Sequence, residues 1–180
     1  MVPAWQFGLV GVLSVAMITD LQSRKIFNWL TFPAIAVGLL LHVWMSGSAG
    51  LQSSVLGLLG GSAVFLVGFM LGQMGAGDVK LMAAVGAWLG WPAALAAVLY
   101  VTGAGGLIAV AVAIRHGTLK RLFSNVYWYF VGLILPGGKA QAALTQSAAP
   151  AFPYGVSIAL GSALALFFPE PQDLLTWMRG

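Results

Sequence analysis

The sequence predicts an all-α, polytopic integral membrane protein with six transmembrane helices, and three observations lead there. Of 180 residues, 60% are hydrophobic and only 7% are charged, against about 25% charged in an ordinary soluble domain. Mean hydropathy is +0.95. The apolar residues also fall into runs close to the ~17–25 residues that a helix needs to cross a bilayer. So little polar surface excludes a soluble enzyme, a nucleic-acid-binding module and a disordered tail. The pI near 9.8 does not restore nucleic acid as a partner, because excess Lys and Arg in a membrane chain mark its cytoplasmic loops.

The six runs are residues 3–19, 29–45, 51–72, 79–91, 93–114 and 152–168. The first eight residues carry no Lys or Arg, so the first run reads as a retained span rather than a cleaved signal peptide. The fourth run is short: its thirteen residues rise only about 20 Å as a helix, which suggests a start inside the membrane. Gly90-Trp91-Pro92 is a turn signal leading into the fifth run. The many glycines of the third and fifth runs read as surfaces for close helix packing.

Charge tests this map. Loops 20–28, 73–80 and 115–151 hold Arg24, Lys25, Lys80, Arg115, Lys120, Arg121 and Lys139, whereas loops 46–50 and 91–92 and the C-terminal tail hold only Arg179. Seven against one places the three basic loops in the cytoplasm and both termini outside. Within loop 115–151, residues 118–135 show helical amphipathicity with Lys120 and Arg121 on the polar side and Tyr127, Trp128 and Tyr129 at interfacial positions. An in-plane interfacial helix fits, with a seventh span as the alternative. Residues 137–153 read as a loop. The whole chain, 1–180, forms one membrane-embedded domain, and anionic lipid headgroups are the expected partners of its basic loops.

There is no cysteine, and His42 and His116 lie far apart without carboxylates at ligand spacing. No disulfide and no structural zinc site is expected. The four acids are more informative. Glu170 and Asp173 stand beside prolines in the external tail and read as solvated charges. Asp20 closes the first run and Asp78 opens the fourth, and an ionisable group at the membrane edge is costly enough to suggest function. Singly, each has a plain explanation: Asp20 would pair with Arg24 or Lys25, and Asp78 would cap its helix. Together they are the only acids of the membrane-facing body, and they lie on one side. Two carboxylates brought close share a proton, so one can act as base to a water while the other donates to a carbonyl. That is aspartyl proteolysis. Gly75 and Gly77 around Asp78 allow close approach of a substrate backbone. Helix polarity adds an expectation: a dipole favours the anion at Asp78 and disfavours it at Asp20, making Asp78 the ionised base and Asp20 its protonated partner.

These residues carry a resemblance. Asp20-Leu21-Gln22-Ser23-Arg24-Lys25-Ile26-Phe27-Asn28-Trp29-Leu30-Thr31 resembles the first aspartate segment of the type IV prepilin peptidases, in which a basic pair, Ile-Pro-Asn and Leu-Thr follow the Asp. Gly75-Ala76-Gly77-Asp78-Val79-Lys80-Leu81 resembles the family's GxGDxKL, and Pro153-Tyr154-Gly155 resembles the Pro-Tyr-Gly that opens its last span. Phe27 replaces the usual proline. The resemblance implies an intramembrane aspartyl protease that removes short basic leaders from prepilins at the cytoplasmic face of the bacterial inner membrane. Asp20 and Asp78 would be its catalytic pair, with Gly75, Gly77, Lys80 and Tyr154 binding substrate or supporting the site. Lys80 would add positive potential or meet a substrate carboxylate, or simply snorkel. The absence of cysteines and the short connection after the first span resemble the small, peptidase-only type of tight-adherence (Flp) pili, for which no cofactor and no S-adenosylmethionine binding is implied. Two other classes stay open: a small ion-coupled transporter using the two acids, and a non-catalytic assembly subunit of a pilus or secretion machine.

Overall fold

The computed structural model describes residues 6–70, 74–120, 123–124, 126–127, 131 and 154–168. Five helices organise them: α1 (Gln6–Ser23), α2 (Asn28–Met70), α3 (Ala76–Leu89), α4 (Ala93–Arg115) and α5 (Tyr154–Phe167). No strand occurs among the described residues, so the all-α class holds.

The largest departure from expectation is α2, whose 43 residues unite the second and third predicted spans. The expected external loop 46–50 shrinks to a break at Gly47, with φ 60° and ψ −136°. Such backbone is open to glycine because it lacks a Cβ, and one residue therefore does the work of a loop. The chain reverses there. In the first arm (28–46), Asn28 meets Lys80 while Ala34 and His42 meet Trp88. In the second arm (48–70) the order inverts, with Ser54 at Ala87 and Gly61 at Met82.

α3 lies in the fork of these arms. Every residue from Leu81 to Trp88 is buried, as expected of a helix apolar on all sides. Small residues make the fit. A Cβ on Gly57 would strike the carbonyl oxygen of Gly86, and one on Gly86 would strike that of Gly57. A polar seam follows the contact. Ser54 Oγ donates to the Ala87 carbonyl at 2.6 Å and Trp88 Nε1 to the Ala34 carbonyl at 2.7 Å, while His42 Nε2 lies 3.0 Å from the Trp88 carbonyl. Bonds of this kind are stronger in apolar surroundings than in water.

After the turn at Gly90-Trp91-Pro92, whose Trp91 N–H donates to the Ser53 carbonyl at 3.0 Å, α4 packs antiparallel to α5. Gly161 lies against the Tyr100–Val101 backbone, and Gly105 faces Ser157. α1 completes the bundle, with Gly8 on the Trp88 ring and Asp20 on Gly155. The C-terminus of α1, both ends of α2 and the N-termini of α3 and α5 thus gather at one end. That is the end at which the basic loops were expected.

Boundaries shift where polar residues continue a helix. α1 runs to Ser23, so Asp20 lies within its last turn rather than after it. α3 starts at Ala76, three residues before the predicted run, so Asp78 lies inside its first turn. α2 and α4 are long and apolar enough to cross a membrane, whereas α1, α3 and α5 have 18, 14 and 14 residues. Large apolar side chains point outward, with Trp44 85% and Leu107 75% exposed. Soluble proteins seldom display so much apolar surface. Of the expected amphipathic helix, Leu119, Lys120, Phe123, Ser124, Val126, Tyr127 and Val131 are helical. Thr118 is described but not helical, and the rest of 118–135, all of 137–153, and the tail acids Glu170 and Asp173 lie outside the described residues.

Replacing Gly86 by Val should prevent α3 from seating between the arms of α2, leaving no monodisperse folded protein in detergent by size exclusion. Trp88→Phe keeps the ring but loses its donor to Ala34. Its unfolding free energy should fall by about 1–3 kcal/mol, measured by denaturant titration.

Candidate active site

Asp20 and Asp78 reach the same place from opposite helix ends. Asp78 is the third residue of α3, behind an N-cap at Gly75. Its Oδ2 accepts the Gly75 N–H at 2.9 Å, which satisfies one of the donors that a helix start leaves open. Glycine has no side chain to return the bond, so this is half of a capping box. The capping role foreseen for Asp78 is therefore present, exercised from inside the first turn.

Asp20 does not follow its plain explanation. Among the described residues it has no ion pair with Arg24 or Lys25. Its Oδ2 instead accepts the Gly155 N–H at 2.9 Å, across 135 positions of sequence. Gly155 is the second residue of α5, and a Cβ there would come within 2.8 Å of Asp20 Oδ2. Only glycine lets the start of α5 approach the carboxylate this closely. The polarity expectation also needs correction. Asp20 ends α1, but its carboxylate faces the N-terminus of α5, so both acids lie in the favourable field of a helix start. The ground for separating base from acid is removed.

Both carboxyls are buried, Asp20 at 9% and Asp78 at 8% exposure. They line one cavity of about 360 Å³ together with Arg24, Lys25, Ile26, Phe27, Asn28, Gly75 and Gly77. That volume lies within the ~300–1,000 Å³ of small-molecule and cofactor sites. The non-helical segment from Arg24 to Phe27, entered at a φ of +50° for Arg24, forms one wall. The first turn of α3 forms the opposite one. The walls touch at Gly77, where a Cβ would lie 3.0 Å from Ile26 Cβ. Among the described residues no third metal-ligating side chain joins the two carboxylates. The arrangement offers two carboxyls on one cavity, a donor-fixed oxygen on each, and space beside them for a peptide bond and a water.

Of the residues named from sequence, Asp20, Asp78, Gly75 and Gly77 come together at this cavity. Lys80 does not line it. Its Nζ donates to Asn28 Oδ1 at 2.9 Å and lies 5.2 Å from the centre of the Phe32 ring. Tyr154 opens α5, half-buried, next to the glycine that holds Asp20. Gly155 and Asn28 escaped selection from sequence, although both stand within the motif segments and each could have been found by asking what fixes an aspartate or its loop.

Comparison with known proteins agrees with these motifs. Residues 7–110 match the type IV leader peptidase family. A prepilin leader peptidase/N-methyltransferase of Burkholderia pseudomallei is 30% identical over 176 residues, covering 94% of this chain and 48% of the relative. A protein of the same name from Neisseria gonorrhoeae is 35% identical over 126 residues, 61% of this chain and 43% of its own length. The preflagellin peptidase of Methanococcus voltae is 31% identical over 87 residues, 47% and 37% of the two chains. The chain thus spans about half the length, or less, of these relatives. No solved structure matches it.

Gly155→Ala should lower stability by about 1–3 kcal/mol, as overpacking does, because the new methyl group meets the Asp20 carboxylate. In an Asp20→Gly background, which also removes the Asp20 Cβ lying 2.8 Å from the new methyl position, the same change should cost less than about 0.5 kcal/mol. A double-mutant cycle by chemical denaturation measures the difference, and equal costs would mean that the two residues do not touch.

Proposed function

Because the chain belongs to the type IV leader peptidase family, we propose that it is an endopeptidase cleaving leader peptides from prepilin-like substrates, with Asp20 and Asp78 as an aspartyl dyad. The convergence of both body carboxyls on one cavity carries this reading. One carboxylate takes a proton from water as the oxygen attacks the scissile carbonyl carbon. The other, protonated, gives its proton to the carbonyl oxygen, forming a neutral gem-diol. Collapse of that intermediate breaks the C–N bond as one carboxyl gives its proton to nitrogen and the other carboxylate takes a hydroxyl proton of the gem-diol, releasing the amine and restoring the dyad. Neither step needs a cofactor. The backbone bonds from Gly75 and Gly155 hold one oxygen of each carboxyl while the rest of each group exchanges protons. Gly75 and Gly77 let the substrate backbone approach, and Tyr154 supports the site through its neighbour Gly155.

The six helical passes, with α2 supplying two, are read as six transmembrane segments of the bacterial inner membrane. The end carrying Arg24, Lys25, Lys80 and Arg115 then faces the cytoplasm, both termini face outward, and cleavage occurs at the cytoplasmic face. The basic loops meet anionic lipid there, and an Flp-type prepilin with a basic leader is the proposed substrate. Both acids sit at helix ends beside glycines, which supports a peptidase over an ion-coupled transporter with mid-span sites.

Co-expression with an Flp-type prepilin should give the shortened pilin on a gel with the wild-type chain. Asp20→Ala and Asp78→Ala should each leave the precursor unprocessed, with a loss of at least about 10³-fold expected for removal of a catalytic group. Full processing by either variant would remove the dyad, and cleavage by Asp78→Asn would favour an assembly subunit whose substrate is cut elsewhere.

A further inference from the structure

α3 carries a single cation, Lys80, and the proposed chemistry gives it no task. Two residues beyond Asp78 it is turned by about 200° around the helix. It accordingly faces away from the cavity that Asp78 lines. Its ammonium does not trail toward solvent without a partner, as a snorkelling lysine would. It donates to Asn28 Oδ1 at 2.9 Å and lies over the Phe32 ring at 5.2 Å. Asn28 and Phe32 are four residues apart on α2 and so share a face one turn apart, which makes a seat with an acceptor at one end and a π-surface at the other.

Asn28 is the junction that gives this seat a consequence. It is the first residue of α2, it ends the non-helical segment that follows α1, and it lines the cavity. That segment otherwise meets the start of α3 through Ile26 against Gly77. Each non-helical residue has two soft dihedrals, so a segment pinned at one point can still pivot, whereas two points fix its register. We infer that Lys80 is a positioning residue: acting through Asn28, it holds the segment after Asp20 in register with the turn that carries Asp78. The inference rests on the reading of the two aspartates as the catalytic pair. Its leverage comes from geometry, since misplacing reacting groups by about 1 Å can cost ~100-fold in rate.

The test compares Lys80→Met, Asn28→Ala and the double variant with wild type in membranes, using an Flp-type prepilin as substrate. Each single change should lower kcat about tenfold or more with KM held within about twofold. The double variant should fall no more than about twofold below the worse single, because both remove one connection. Lys80→Arg, which keeps a charged donor, should recover most of the rate. A raised KM at unchanged kcat would make Lys80 a substrate contact. Multiplying losses, or wild-type turnover by Lys80→Met, would likewise overturn the inference.

A second measurement needs no substrate. The chain has no cysteine, so a Phe27→Cys variant carries one thiol on the segment itself and leaves the Ile26 contact with Gly77 in place. A charged maleimide should label it several-fold faster when Lys80→Met is also present, and equal rates would overturn the clamp. Should the wild-type chain fail to cleave prepilin, the peptidase reading falls while the labelling rates still decide whether Lys80 holds the segment.

Discussion

The backbone contact between Gly57 and Gly86 is the constraint on which the architecture depends. In apolar surroundings helices gain little from hiding greasy side chains from one another, and association rests on close van der Waals packing and interhelical hydrogen bonds. Absence of side chains at these two positions brings the second arm of α2 against the backbone of α3. The bonds from Ser54 to Ala87 and from Trp88 to Ala34 then close on either side. Because α3 is gripped between two arms of one helix, its first turn sits at a fixed place at the end of the bundle. Asp78 is carried on that turn.

Asp20 is fixed by a different route with the same physics. Its holder is a peptide N–H at the start of α5, just as Gly75 holds Asp78. Backbone donors cannot titrate, and a helix start presents them with their dipoles aligned toward the acceptor. Two acids held this way stay in place through a change of protonation. A lysine or arginine partner would instead bind one protonation state far more strongly than the other. Gly155 and Gly77 belong to this scheme because a Cβ there would come within 2.8 Å of Asp20 and 3.0 Å of Ile26, whereas Gly75 contributes its N–H.

Much of this was legible in one dimension. A chain with four acids, two of them beside prolines near its C-terminal end, leaves Asp20 and Asp78 conspicuous, and alternation of basic loops predicts that they share a side. The flanking GxG reads as room for a substrate backbone, and within the chain itself Gly77 lies close against Ile26. What failed were inferences that treat each helix alone. The dipole argument considered α1 by itself, whereas the N-terminus of α5, 135 residues away, reverses the field at Asp20. The loop expected at 46–50 is the gap between two apolar runs, whereas the chain there stays helical apart from the break at Gly47. For Lys80 the sequence leaves a site cation, a substrate contact or a snorkelling side chain open, and only the fold shows it bonded to Asn28, 52 positions distant.

Composition and local pattern therefore settle properties that are sums over the chain: the all-α class, the order of the helices and the placement of two acids at helix ends. Each follows from transfer energies and charge placement that need no knowledge of neighbours. Which oxygen meets which N–H, whether the two carboxyls share a cavity, and what holds the loop between them depend on contacts across dozens of residues. Those contacts exist only once small residues let the helices close to backbone distance, and that is decided by packing in three dimensions.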